Sequence, residues 1–444
     1  MALTGLQIFK MLPKSNCKKC GKPTCLAFAM ALAQKKASLD ECPDAGDETR
    51  AMLAEASAPP MRKVKFGTGD GAVELGAETV LYRHEEKFYS PTVIAVSVSD
   101  ALAGEELKAR INAVNALQFD RVGTHIQVNA VAVVNDSGSA DTFASAAEAV
   151  KQASGLAMIL VSESADALGA AAGKVADSVP LLACATAATA DALAKIARDN
   201  KCPLVAAADS VEALAELTEK IKAAGVEDIV LCLKGVSLKE EMYGLTTARA
   251  AALKKSFRPL GYPTLSLVSG DTPEEQAGKA LALVSKYAGV VVLDTAEAYA
   301  ILPVLTSIMN IYTDPQKPVQ VEPKVYKIGE AGADSPLLLT TNFSLTYYTV
   351  ESDAEASRVP CYILVVDTEG TSVLTAYSGD KLNEKVVSEA MKKFGVEDIV
   401  KHRKMIIPGY VAVMSGKLEE ETGWEILVGP RESSMLPKYL QDVA

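Results

Sequence analysis

Positive charge is short in this chain. Its 444 residues carry 45 lysines and arginines against 56 aspartates and glutamates, for a formal net charge of −11. No basic stripe occurs outside the loop around residues 14–22, which argues against a nucleic-acid partner. Long apolar runs are also lacking. None approaches the ~20 residues that a membrane span needs, so no membrane partner is expected. No secretory leader precedes the first cysteines, and Met1-Ala-Leu-Thr-Gly5 reads directly into a helix. The expected compartment is therefore the reducing cytoplasm, where disulfides are rare. Histidine is limited to His84, His125 and His402. What remains is soluble and globular in composition, 49% hydrophobic, with length enough for two to four domains.

The eight cysteines divide into two groups. Cys184, Cys202, Cys232 and Cys361 stand singly in apolar surroundings, whereas Cys17, Cys20, Cys25 and Cys42 are spaced C-x2-C-x4-C-x16-C and followed by Pro43. Four thiolates from one short segment are the ligand set of a 4Fe–4S cluster, and a proline after the last ligand is common in ferredoxin-like runs. A structural zinc would use the same sulfurs, but zinc sites usually show two C-x2-C pairs. Two disulfides fit the compartment less well. Gly21 and Pro23 tighten the loop, Lys14, Lys18, Lys19 and Lys22 offset an anionic cluster, and Cys25 opens the apolar helical run Leu26-Ala-Phe-Ala-Met-Ala-Leu. Helix N–H groups can then face the sulfurs.

This first domain is expected over residues 1–58, its end marked by a helical pattern from Asp44 to Ala56 and the break Ala58-Pro59-Pro60. Residues 59–90 read as a linker with a hairpin. Gly67-Thr-Gly-Asp-Gly71 lacks the Lys-Ser/Thr ending of a phosphate loop and is better read as the hairpin turn. From Pro91 to residue 313, eight apolar runs alternate with helical patterns: 93–98, 128–134, 157–161, 180–184, 203–207, 229–233, 264–268 and 290–293. Fully apolar strands alternating with helices predict a parallel sheet covered on both faces, and eight units in ~220 residues fit a closed (β/α)8 TIM barrel. Its strand ends carry Asp100, Asn135-Asp136, Ser162-Glu163, Asp209, Lys234, Ser269-Gly-Asp271 and Asp294-Thr295, with no histidine and no metal-spaced set. Asp and Ser at such junctions are ordinary helix N-caps, so the barrel reads as a scaffold.

A proline-containing linker over 314–324 leads to a last domain, 325–444. Its apolar runs at 337–339, 362–366, 373–376, 405–407 and 426–428, with helices over 382–393 and 433–443, read as a small open Rossmann-like α/β sheet. Ligands of such sheets sit beyond the carboxyl ends of the strands. Those ends read Thr340-Thr-Asn-Phe-Ser-Leu-Thr346, Asp367-Thr-Glu-Gly370-Thr-Ser-Val373, Ala376-Tyr-Ser-Gly-Asp380, Pro408-Gly-Tyr-Val-Ala412 and Gly429-Pro-Arg431. Hydroxyls and glycines on successive loops admit a large flat ligand and offer it neutral hydrogen bonds, although plain turn chemistry uses the same residues.

The cluster motif, barrel and Gly/Ser/Thr-looped domain, in that order, resemble the large subunit of the corrinoid iron–sulfur proteins of the acetyl-CoA pathway, over essentially the whole chain. The resemblance is carried by Asn16-Cys-x-x-Cys-Gly-x-Pro-Thr-Cys-Leu-Ala-Phe-Ala-Met30, Ala37-Ser-Leu-Asp-x-Cys-Pro43, Thr340-Thr-Asn-Phe-Ser-Leu-Thr-Tyr347 and Gly409-Tyr-Val-Ala-Val-Met-Ser-Gly-Lys-Leu-Glu419. It implies a methyl carrier that serves as co-substrate of its partner enzymes. A cobamide would take a methyl group from a methyltetrahydropterin methyltransferase and deliver it to acetyl-CoA synthase/CO dehydrogenase. A smaller TIM-barrel subunit would complete a heterodimer, and a reductive activator or ferredoxin would feed the cluster that restores oxidised cobalt.

The resemblance further implies that Cys17, Cys20, Cys25 and Cys42 hold the cluster. Around the corrin it would place Thr340, Asn342, Ser344, Thr346, Gly370, Thr371, Ser372, Val373, Tyr377, Ser378, Gly379, Asp380, Pro408, Gly409, Tyr410, Ala412, Gly429, Pro430 and Arg431. Many cobamide domains offer histidine to cobalt from Asp-x-His-x-x-Gly. Here the residues two before each histidine are Tyr82, Gly123 and Val400, so the cobamide would be base-off without a protein imidazole. Two alternatives remain. One is an electron-transfer adaptor with a cluster and no corrinoid, which a cobalt assay separates from the carrier. The other is a barrel enzyme, which would turn over alone.

Overall fold

The structure is a computed structural model that describes residues 5–33, 37, 41–46 and 59–443. The helical pattern expected beyond Asp44 lies mostly outside the described residues. The chain divides into two compact units, residues 1–119 with 126–312, and residues 120–125 with 313–444.

At the N-terminus, helices Gly5–Met11 and Cys25–Ala33 pack through an apolar cluster of Ile8, Leu12, Cys25, Phe28, Ala29, Cys42 and Ala45. A Cβ on Gly5 would lie 2.3 Å from the Met30 sulfur, so the absence of a side chain lets the two helices approach.

Strands β1 (Lys63–Phe66) and β2 (Val73–Gly76) form the expected antiparallel hairpin, turning through Gly69–Gly71. Then come β3 (Val93–Ser99), the short pair β4 (Gln118–Arg121) and β5 (Thr124–Gln127), and β6 (Ala130–Val134). The barrel continues with β7 (Ala157–Val161), β8 (Leu181–Ala185), β9 (Leu204–Ala208), β10 (Ile229–Leu233), β11 (Leu265–Leu267) and β12 (Val290–Leu293). Eight of these form one parallel sheet in the order β10-β9-β8-β7-β6-β3-β12-β11. It closes where Leu231 bridges Thr264 and its N–H donates to the Pro263 carbonyl at 2.8 Å. The sequence expectation of eight βα units is met, and the additional β4–β5 pair was not anticipated.

Small side chains (Ala95, Ala130, Ala132, Ala157, Ala183, Ala207) face the barrel interior. The β1–β2 hairpin fills the space they leave: Val64, Phe66 and Leu75 join the same interior cluster. The hairpin sits at the N-terminal mouth, where the Gly67 N–H donates to Val179 O at 2.9 Å and the Arg62 N–H to Gly261 O at 2.8 Å, both just ahead of barrel strands. Outside the strands, leucine, valine and alanine from the helices complete a second and larger core. Ser139, Ser164, Ser210, Ser237 and Thr272 cap the helices that follow β6, β7, β9, β10 and β11, each accepting from the N–H three residues on. That is the expected capping chemistry.

Glu241, on helix Leu238–Lys255, lies in this outer core. It is buried, with Ser266 of β11 beside it, and neither Glu241 Oε1 nor Ser266 Oγ has a hydrogen-bond partner. Burial raises its pKa above the ordinary 4.5. A raised acid binds its proton more tightly folded than unfolded, so stability falls as pH rises through the unfolded value toward the folded one. Glu241→Gln should therefore stabilise the chain at pH 7.5 and leave it nearly unchanged at pH 4. Urea midpoints at the two pH values check this, and equal shifts at both would refute it.

The second unit is a five-stranded sheet of β13 (Val325–Ile328), β14 (Leu337–Thr341), β15 (Cys361–Val366), β16 (Lys404–Ile407) and β17 (Glu425–Val428). The order is β13-β15-β14-β16-β17, parallel except for β13 at the edge. Helices Ser344–Ala356 and Leu436–Val443 supply Tyr347, Ala354, Leu436 and Leu440 to one face, and the segments over 373–400 and 411–424 cover the other. One expectation is corrected: Val373–Ser378 is a helix, not a strand. The apolar run Val373-Leu-Thr-Ala376 is too short for periodicity to separate helix from strand, and in the helix only Val373 and Ala376 are buried.

Candidate functional site

Two regions gather the expected site residues. In the first, Gly21 takes φ +72° in the turn closed by its N–H to Lys18 O at 2.9 Å. Asn16 and Cys25 then bracket one another. The Cys25 N–H donates to Asn16 Oδ1 at 2.8 Å, and the Asn16 N–H donates to Cys25 Sγ at 3.3 Å. Thr24 Oγ1 accepts from the Ala27 N–H at 3.1 Å, so Cys25 enters its helix on a capped first turn. Cys25 and Cys42 are buried in one apolar cluster with Cys20 against it, while Cys17 is exposed. Lys19 donates to Asp44 at 2.7 Å. That bond holds the Asp44 carboxyl below the usual range, Cys17 contributing after Lys19, and Asp44 in turn raises Lys19, with Cys17 and Cys42 adding smaller attractions. Among the described residues no three Cys, His, Asp or Glu side chains converge closely enough to hold a metal ion. Cys20, Cys25 and Cys42 share one apolar cluster.

The second region is an open groove of about 330 Å³ at the carboxyl ends of β14 and β16. The chain leaves β14 toward one side of the sheet and crosses back to β16 on the other, so the groove occupies the topological switch point, where open α/β sheets bind ligands. Its floor is apolar (Leu338, Leu339, Ile406, Ile407, Val350, Leu436). Hydroxyls of Thr340, Thr346, Thr349, Ser372 and Ser433 punctuate it, and Tyr410, Arg431 and Glu432 stand at its edge. Tyr410 Oη donates to Glu432 at 2.6 Å, which raises the tyrosine pKa. Thr340 is 1% exposed and its Oγ1 has no hydrogen-bond partner. A buried, unpaired hydroxyl bordering a groove is an unmet demand for a polar ligand atom.

Of the residues expected around a ligand, Thr340, Thr346, Ser372, Val373, Pro408, Tyr410, Gly429, Pro430 and Arg431 line the groove. Asn342, Ser344, Gly370, Thr371, Tyr377, Ser378, Gly379, Asp380, Gly409 and Ala412 do not, and the reasons are local. Asn342 is saturated: its Oδ1 accepts from Thr368 N, Thr368 Oγ1 and Gly370 N, and its Nδ2 donates to Gln320 and Asp367. Its task is to fix the 367–371 loop. Thr371 is tied back to Thr368 at 2.7 Å, and Ser344 begins a helix with its N–H on Val319 O. Tyr377–Asp380 form the end of the short helix rather than a strand end, with Gly379 N–H on Thr375 O. Gly409 acts through backbone. A Cβ there would lie 2.5 Å from Gly429 O, so the 408–410 and 429–431 loops touch main chain to main chain. Sequence reasoning missed Leu345, Thr349, Leu374, Glu432 and Ser433. The 3.6-residue spacing of Leu345, Thr349 and Val350 was the available signal, obscured by reading the segment as loop.

The barrel mouth shows a different pattern. Its polar residues are mostly spent on one another: Asp100 accepts from Ser137 N and Oγ, Ser97 Oγ donates to Asp294, and Asn135 donates to Ser162. All three histidines lie away from the groove lining. His402 has both ring nitrogens engaged, with Ser335 O and the Lys404 N–H; His125 contacts Asp120, and His84 stacks on Tyr82.

Residues 63–440 match the family model described as CO dehydrogenase/acetyl-CoA synthase delta subunit, and residues 12–43 match one described as a putative Fe–S cluster. The chain is 46% identical to the corrinoid/iron–sulfur protein large subunit of Moorella thermoacetica, over 98% of this chain and 97% of that one. It is 37% identical, over the full length of both, to the acetyl-CoA decarbonylase/synthase complex subunit gamma of Methanothermobacter thermautotrophicus. Against the same subunit of Methanopyrus kandleri it is 36% identical, over 99% and 97%. Identity at this level along the whole length, from cysteine motif to groove, places the chain in the family of corrinoid/iron–sulfur protein large subunits and acetyl-CoA decarbonylase/synthase gamma subunits.

Proposed function

We propose that this chain is the corrinoid- and cluster-bearing subunit of a methyl carrier. It would work between a methyltetrahydropterin methyltransferase and acetyl-CoA synthase/CO dehydrogenase, in a heterodimer with a smaller barrel subunit, and be kept active by a ferredoxin or reductive activator. The observation that carries this is the end-to-end relationship to corrinoid/iron–sulfur protein large subunits, joined to a groove at the switch point that contains an unpaired buried hydroxyl.

When bound, a cobamide supplies a cobalt that accepts and releases a methyl group, and a 4Fe–4S cluster supplies the electron that restores oxidised cobalt. The chain's own residues offer donors of the kinds that both groups take. Thr340 Oγ1 would donate to the cobamide, Thr346 and Ser372 offer further hydroxyls, and the apolar floor excludes water. Arg431 and Tyr410 stand where a polar periphery would meet them. His84, His125 and His402 lie outside the groove lining, so a cobamide held there would meet no imidazole from that lining. Cys17, Cys20, Cys25 and Cys42 would hold the cluster, with the Cys25 helix N-terminus and Lys19 offsetting its charge.

Metal content and the visible spectrum of protein purified anaerobically with its smaller subunit test this reading. Cobalt and cluster iron together, with a base-off band that shifts on reduction, are the expected result. Iron without cobalt when cobamide is supplied would leave an electron-transfer adaptor instead. Thr340→Val is a sharper probe. It removes an unpaired buried hydroxyl, so the cobamide-free chain should gain about 1–3 kcal/mol in urea unfolding, while cobamide retention on gel filtration falls. Unchanged retention would remove Thr340 from the site.

A further inference from the structure

The loop that carries the first cysteines has an alternating backbone. Lys14, Asn16 and Lys18 take φ of +58°, +51° and +62°, while Ser15 and Cys17 between them stay out of the left-handed region. Residues other than glycine enter that region rarely, and lysine has no short polar side chain to favour it. Left-handed residues packed this densely mark strain of the kind held at functional sites. Alternating handedness also turns successive backbone N–H groups toward one concave side, a nest that receives anions, iron–sulfur clusters included.

Asn16 stands in the middle of this nest. Its N–H donates to Cys25 Sγ at 3.3 Å, and its Oδ1 accepts from the Cys25 N–H at 2.8 Å. Asparagine is suited to both tasks, since it tolerates the left-handed region and carries an amide oxygen. Helix capping does not explain it. Thr24 already caps helix Cys25–Ala33 by accepting from the Ala27 N–H at 3.1 Å, and the partner of Asn16 is a cysteine nine residues away. The side-chain bond fixes residue 16 against Cys25, and the backbone bond then points a donor at the sulfur.

We propose that Asn16 is a positioning residue that sets the reduction potential of the cluster, by holding its own N–H on the Cys25 sulfur. This rests on the function proposed above, in that it takes Cys25 as a cluster ligand. Hydrogen bonds to ligand sulfurs are one of the levers on such potentials. The bond strengthens as its acceptor gains negative charge, so it favours the reduced cluster and its loss makes reduction harder. The step is the arrival of one electron from the donor protein; no bond is made or broken and no proton moves.

The test is an EPR-monitored redox titration of the full chain, purified anaerobically with its smaller subunit. Asn16→Ala disfavours the left-handed backbone and removes the amide. At a fixed potential the ratio of reduced to oxidised cluster should then fall roughly tenfold, a downward shift of about 59 mV for one electron. Asn16→Gly keeps the left-handed backbone and should recover most of that shift. An unshifted Asn16→Ala, or an Asn16→Gly as low as the alanine variant, overturns the proposal. Isotopic labelling gives an answer that depends on no variant keeping its cluster. With asparagine carrying the heavy isotope at its backbone nitrogen, pulsed EPR of the reduced wild-type cluster should show coupling to that nitrogen, and its absence overturns the proposal as well. Wild-type protein without cluster iron would instead overturn the proposed function itself, so the two failures are told apart.

Discussion

Arg249→Ala should cost the barrel unit about 3–5 kcal/mol, the scale of breaking a buried ion pair from one side. Arg249 and Glu78 are 6% and 4% exposed and meet at 3.2 Å. The guanidinium also donates twice to Val80 O, at 2.8 and 3.2 Å, and lies between the rings of Phe88 and Tyr287 at 4.7 and 4.6 Å. Glu78 meanwhile accepts from the Tyr89 and Ser90 N–H groups at 2.9 Å each. One arginine on helix 238–255 thus pins the whole irregular 78–90 segment. Without it, the buried Glu78 carboxylate loses its countercharge and the half-buried Val80 carbonyl its donor. The double substitution Glu78→Gln/Arg249→Met should recover much of the loss, because the amide still accepts from residues 89 and 90 while the buried charge is gone. Urea unfolding of the three variants decides the matter. A single-variant cost below ~1 kcal/mol, the value of an exposed pair, would show that the segment is held by other contacts.

That arginine also marks where sequence reading stops. The eight barrel strands were legible because each is a short, unbroken apolar run between helical patterns, a signature little else produces. Ala157–Val161, Ile229–Leu233 and Val290–Leu293 have the very bounds that the sequence indicated. β4 and β5 escaped because Gln118-Phe-Asp-Arg and Thr124-His-Ile-Gln are polar and mostly exposed, with no buried face to print a period. Helix Ser344–Ala356 escaped because Thr346, Tyr347, Tyr348, Thr349 and Val350 are better strand formers than helix formers, and packing of Tyr347 and Ala354 against the sheet overrides that preference. Nothing in the sequence linked Glu78 to Arg249, 171 residues away.

The groove was legible in outline for a related reason. Strand ends fix where a ligand of an α/β sheet must lie, so Thr340, Ser372, Pro408, Tyr410 and Arg431 were within reach of a reading that knew only the strands. The same reading could not separate residues that face the groove from those that hold its walls. Asn342 and Thr340 sit two apart in one polar string. One satisfies five hydrogen bonds and the other none, a distinction set by the 367–371 loop rather than by the neighbours in sequence.

Gly409→Val should abolish cobamide retention while leaving the cluster iron in place. The Gly409 N–H donates to Pro430 O at 3.0 Å and the Gly429 N–H to Ile407 O at 2.9 Å, so the two loops at the groove's edge are joined through backbone. A Cβ at 409 would lie 2.5 Å from Gly429 O and 2.9 Å from Arg431 N, and neither is a side-chain tip that can turn aside. The 429–431 loop must then move, carrying Gly429, Pro430 and Arg431 out of the groove lining. The sheet beneath is tied by other bonds, including the β16–β17 register from Lys404–Glu425 to Ile407–Val428. The unit should therefore remain folded, with a lower melting temperature. Cobalt and iron measured on one sample separate the outcomes: cobalt lost with iron kept places the cobamide at this groove, since the cysteine motif is nearly 370 residues upstream in another unit. Cobalt retained at wild-type level would mean that the groove at the switch point is not where the corrinoid is held.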